Sequence, residues 1–114
     1  MIVGARQNMS NAAINHLRSL TRILEDLEEE RIELFEYEYH PLAFGSFQII
    51  VGRSHEKLKF TWDGRESILS VSFGSVTNKK DIPNWTHDAD VSLPYGEGVF
   101  EEIASQSVYM LKNK

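Results

Sequence analysis

Residues 46–73 read SFQIIVGRSHEKLKFTWDGRESILSVSF, and taking every second position sorts them into two faces. One face collects Phe47, Ile49, Val51, then Leu58, Phe60, Trp62, then Leu69, Val71, Phe73. The other holds Gln48, Lys57, Lys59, Thr61, Ser70 and Ser72, interrupted by Ile50 and Ile68. Three successive period-two runs predict half-buried antiparallel strands. The connections suit hairpins: Arg53-Ser54-His55-Glu56 is short and polar, and Asp63-Gly64 favours a tight turn with positive φ.

Working outward towards the N-terminus, Phe35-Glu36-Tyr37-Glu38-Tyr39-His40 alternates aromatic and charged residues and ends at Pro41. It reads as a short edge strand whose charged face discourages pairing with other molecules. Before it, Ala13, Leu17, Leu20, Leu24, Leu27 and Leu34 form an apolar stripe, widened by Ile14 and Ile23. Spacings of three and four predict an amphipathic helix of about 25 residues, with Ser10 as its N-cap and an end between Arg31 and Leu34. The heptad-like spacing also allows coiled-coil pairing over a few turns. Residues 1–9 are expected to be a loose leader.

Downstream, residues 74–97 carry Gly74, Asn78, Pro83, Asn84, Pro94 and Gly96 and read as one long irregular loop, with Val91-Ser92-Leu93 as a brief strand at most. Val99, Phe100, Ile103, Ala104, Ser107, Val108 and Leu111 restore a helical pattern. The expected fold is therefore a single α+β domain over 1–114, in the order α-β-β-β-β-α. A four-stranded antiparallel meander packs against a long N-terminal helix and a C-terminal helix. Its second face is left partly polar.

At 114 residues the chain supports one core. No run of eighteen apolar residues exists, so no membrane helix is expected, and Met1-Ile-Val-Gly-Ala-Arg lacks a secretory pattern. Zero cysteines excludes disulfides, thiolate metal sites and a cysteine nucleophile. A cytoplasmic setting is expected. The net charge of −5 argues against non-specific nucleic-acid binding. Phosphate-cradling loops, nucleophile elbows, dinucleotide fingerprints and zinc-binding His spacings are all missing from the sequence. No cofactor, metal or catalytic residue is therefore assigned from sequence.

Three features remain as candidate sites. Eight of the seventeen acidic residues lie between Glu25 and Glu38, with only Arg31 among them. On the first helix Arg18 and Arg22 precede Glu25, Asp26, Glu28, Glu29 and Glu30, against the helix dipole. Glu25/Glu29 and Glu29/Glu33 add like-charge pairs at i,i+4. The tail helix obeys the dipole, with Glu101 and Glu102 early and Lys112 late. This contrast predicts an acidic surface kept for a basic protein partner, using Glu25, Asp26, Glu28, Glu29, Glu30 and Glu33, with Trp85 as an anchor.

The second feature is a pocket beneath the 74–97 loop lined by Trp85, His87, Asp88, Asp90 and Tyr95, in which a histidine beside carboxylates would do acid–base chemistry. The third is a homodimer through the sheet, seated on Ile50 and Ile68. Of the three, a non-catalytic interaction module is the leading expectation. In architecture and charge alone, the chain is similar to small acidic immunity proteins that neutralise nuclease toxins.

Overall fold

The computed structural model describes residues 3–112, with side chains from residue 14 onward. The chain runs α1 (Val3–Glu29), β1 (Glu33–His40), β2 (Ser46–Arg53), β3 (Glu56–Asp63), β4 (Ile68–Ser75), β5 (Thr86–Ser92), a 3-10 turn (Pro94–Gly96) and α2 (Val99–Leu111). The strands form one antiparallel sheet in the order β1-β2-β3-β4-β5. The expected α+β class holds, with one strand more than the sequence suggested.

The central register follows from the alternation. Phe60 sits opposite Ile49 on β2 and Val71 on β4, and all three are fully buried. On β1, Tyr37 and Tyr39 face the same side as Ile49 and Phe47, which turns Glu36 and Glu38 to the open face of an edge strand. Against the apolar face lie both helices. α1 contributes Leu20, Ile23 and Leu27, and α2 contributes Val99, Ile103 and Leu111. Burying each such side chain is worth about 1.5–3 kcal/mol, which is the main force holding both helices on the sheet.

Both helices run in the same direction. α1 ends where Ile32 N–H bonds back to the Leu27 carbonyl at 2.9 Å, just before β1 begins opposite Gly52. α2 ends where Arg53 at the same end of the sheet donates to the carbonyls of Leu111 (3.3 Å) and Lys112 (3.2 Å). The start of α2 lies at the other end, where a Cβ on Gly96 would come within 3.3 Å of Trp62. We call these the Arg53 end and the Asp63 end.

Four expectations need correction. Residues 3–9, read as a loose leader, are the first turns of α1, and Ser10 is an interior residue rather than its cap. The stretch lacks proline, so propensity alone does not stop the helix there. Met1 and Ile2 lie outside the described residues. α1 stops at Glu29 because Arg31 adopts a left-handed conformation (φ 60°), which puts Leu34 on β1 instead of the helix stripe. The 74–97 segment is not one loop. Residues 86–92 are the edge strand β5, hidden in sequence because only Ala89 and Val91 are half-buried and a bulge near Val71/Ser72 breaks the alternation. Finally, Gly64 does not take the positive φ expected of Asp63-Gly64; the left-handed residue in that turn is Ser67 (φ 56°). Asp63 Oδ1 organises the turn by accepting the N–H groups of Arg65 (3.0 Å) and Glu66 (3.1 Å).

His16 ties the layers together. Its ring stacks on Tyr39 (centroids 3.8 Å apart) and meets Phe47 and Phe100 edge-on, while Phe47 and Phe100 stack on each other. Its Nε2 is hydrogen-bonded to the Tyr37 hydroxyl. Burial holds the imidazole below its usual pKa. It also raises the Tyr37 phenol to about 12, with the charge of Tyr39 adding to the shift.

A depressed histidine pKa means the unfolded chain takes up the proton first. The stability His16 contributes is therefore complete above about pH 6.5 and is lost as pH falls through the folded pKa. His16→Gln should flatten the fall in urea midpoint between about pH 7.5 and pH 5 relative to wild type. Parallel midpoint curves for the two proteins would refute this.

Candidate functional site

The C-terminal part of α1 is the acidic segment. Glu25, Asp26, Glu28, Glu29, Glu30 and Glu33 are all exposed there. Among the described residues, Glu33 alone of these six is in an ion pair, with Lys79 Nζ at 2.6 Å. The last turn of α1 holds no basic residue. Because the two helices are parallel, their negative dipole ends lie at the same end of the sheet. They are treated differently: Arg53 bonds the terminal carbonyls of α2, while those of α1 receive backbone N–H groups from Glu30, Arg31 and Ile32. The uncompensated negative charge therefore belongs to α1.

Trp85 does not join this patch. It lies on the opposite face of the sheet, half-buried, with Lys59 Nζ 5.1 Å from its ring centroid. There the 76–85 segment folds back over β2, β3 and β4. Its packing is close enough that a Cβ on Gly74 would sit 2.6 Å from Pro83. Beneath it is a cleft of about 270 Å³ lined by Phe35, Glu36, Ile50, Lys57, Lys80, Ile82, Pro83 and Trp85. Lys57 is buried, donates to the Asp81 carbonyl at 2.8 Å and lies 4.2 Å over the Phe35 ring. A lysine taken from water in this way is held by a backbone acceptor and an aromatic face.

This cleft differs from the expected pocket. Of the residues assigned to that pocket, Trp85 alone lines it. His87 and Asp90 do come together at the β5 edge, with Nε2 to Oδ1 at 2.8 Å, and Ser70 Oγ donates to the same oxygen at 2.7 Å. The hydrogen bond from His87, and then that from Ser70, hold the Asp90 carboxyl below its usual range. Both side chains are more than half exposed, so the pair is solvated. Asp88 is the extra residue of the β5 bulge, and Tyr95 stands on the 3-10 turn at the Asp63 end, 98% exposed.

Of the two residues expected to seat a sheet-mediated homodimer, Ile68 is half-buried and Ile50 is covered. Ile50 is only 6% exposed because the chain's own 76–85 segment covers it. The basic side chains on and beside the central strands form no common patch: Arg53 serves α2, Lys57 is buried, Lys59 covers Trp85, and Arg65 is in the turn at the far end.

Sequence reasoning missed Phe35, which the β1 bulge between Leu34 and Glu36 turns onto the open face. It also missed the service of Arg53 to α2, which no local pattern announces. Among the described residues, no three histidine or carboxylate side chains converge to hold a metal ion. None of the described helices is long and apolar enough to cross a membrane. Comparison with family models, with curated proteins and with solved structures returns no match for this chain.

Proposed function

We propose that the protein is a cytoplasmic, non-catalytic interaction module that presents the acidic end of α1 to a basic protein partner. One observation carries the reading: of two parallel helices ending side by side, α2 has its terminal carbonyls bonded by Arg53, while the last turn of α1 carries exposed carboxylates and no basic residue. Charge placed against a dipole costs about 0.3–1 kcal/mol per terminal residue, a cost that binding a cationic surface would offset. Such a field steers association and makes it salt-sensitive. The immunity proteins that neutralise nuclease toxins offer an analogy for this mode of action in charge and architecture only.

Replacing Glu28, Glu29 and Glu30 together by Lys tests the reading. Because the new charges suit the dipole, the variant should unfold at an equal or higher urea concentration, so a loss of binding would not reflect misfolding. Wild-type bait should retain a basic protein from a lysate of the source cell at about 0.05 M salt, release it at about 0.3 M, and lose it entirely in the triple variant. Equal retention by both baits would reject the acidic surface.

A further inference from the structure

We infer that the outer flank of α1 pairs antiparallel with the same flank of a second copy of this chain. The helix has three sides. Leu20, Ile23 and Leu27 face the sheet, and Ser19, Arg22 and Asp26 border a crevice against Phe100, Glu101 and Ala104 of α2. The third side carries Ile14, Leu17, Arg18, Thr21 and Glu25 along a shallow open groove, with Arg22 on the border that it shares with the crevice. Ile14 is 42% exposed and Leu17 48% exposed. Leu34, 41% exposed, continues the apolar surface on β1, on the side of the sheet that the helices cover.

Ile14, Leu17, Thr21 and Leu24 follow one another at the three- and four-residue spacing of a pairing seam. Arg18 and Glu25 flank that seam, each directly after a leucine and seven residues apart. Neither forms an ion pair among the described residues.

Charge selects both the occupant and the direction. Along α1 the basic residues come first and the acidic ones last. A parallel copy would lay acid against acid and Arg18 beside the partner's Arg18. An antiparallel copy, with its two-fold axis between Thr21 and Arg22, sets Arg18 against the partner's Glu25 twice over. It also opposes the two helix dipoles. Leu17 and Thr21 then pack by the partner's Leu24, and Ile14 falls beside the end of the partner's helix, where Leu34 is exposed. The assembly extends the helical layer sideways, away from α2, and leaves the cleft beneath residues 76–85 untouched. The inference shares Glu25 with the acidic-surface reading, whereas Asp26 and Glu29 lie on other sides of the helix, outside the seam.

Sedimentation of the full chain between about 1 and 100 μM decides the matter, with dimer expected to accumulate across that range. Arg18→Glu and Glu25→Arg should each weaken association by about tenfold or more, since each places two like-charge pairs in the seam. The double variant R18E/E25R restores the pairs in reverse and should recover the wild-type constant. Leu17→Glu should leave a folded monomer. A wild type that stays monomeric throughout, a single reversal without effect, or a double swap that fails to recover association would each overturn the proposal. The swap at Arg18 and Glu25 leaves Glu28, Glu29 and Glu30 in place, so failure here is distinguishable from failure of the basic-partner reading.

Discussion

Phe60→Ala should lower the free energy of unfolding by about 3–5 kcal/mol, the largest loss expected from any single truncation in this protein. The ring is fully buried on the central strand, flanked by Ile49 and Val71, neither of which is exposed at all. Ladders on both sides hold the backbone, so the neighbours have little freedom to collapse into the space. Against a total of about 5–15 kcal/mol for a domain of this kind, such a loss leaves the native state marginal at 37 °C. Urea unfolding measures it, with Phe60→Leu as the companion, expected to cost less than about 1.5 kcal/mol. A loss below about 1 kcal/mol for the alanine variant would mean that the core lies elsewhere.

The second large effect falls on a residue with no side chain. A Cβ on Gly64 would sit 1.9 Å from the carbonyl oxygen of Phe44 and 2.8 Å from its carbonyl carbon. No rotamer change relieves a clash with backbone, so Gly64→Ala must push the β1–β2 and β3–β4 connections apart. That movement strains the bond from Gly64 N–H to Ser46 Oγ, now 3.0 Å long. The cost should be about 2–4 kcal/mol by the same urea measurement. Gly45→Ala separates this steric account from a conformational one. Gly45 has φ +71° and nothing within 4 Å of its virtual Cβ, so it should lose only about 1 kcal/mol. Equal losses at both positions would remove the steric explanation.

How far the sequence spoke depends on which force set each element. The three central strands and the buried side of α1 were legible because burial imposes a period, and Phe47, Phe60, Val71, Leu20 and Leu27 all keep it. β5 was not, since its ladder is donated by β4 and its own residues Thr86, His87, Asp88 and Asp90 stay in water. The N-terminal turns of α1 were not legible because Ser10, a favoured cap residue, sits inside the helix and marks a start that the chain does not use. At the candidate site, the acidic residues were legible as a charge run, and their exposure follows from their place on the helix. Their separation from Trp85 was not, because sheet faces are assigned by register and Trp85 lies just outside any strand. The pairing of Arg53 with the end of α2 joins positions more than fifty residues apart, beyond the reach of any local pattern.

The parallel course of α1 and α2 has a consequence for the order of events in folding. Every strand pairs with its neighbour in sequence, so β1–β4 can zip up through short loops with little chain entropy lost, and β5 joins across the longer 76–85 segment. The two helices, in contrast, come from opposite ends of the chain and meet only after the whole meander is in place. A nucleus in β2–β4 followed by late docking of both helices is the cheapest route. On that route the His16–Phe100 junction forms after the transition state, and weakening it accelerates unfolding while leaving the folding rate nearly unchanged.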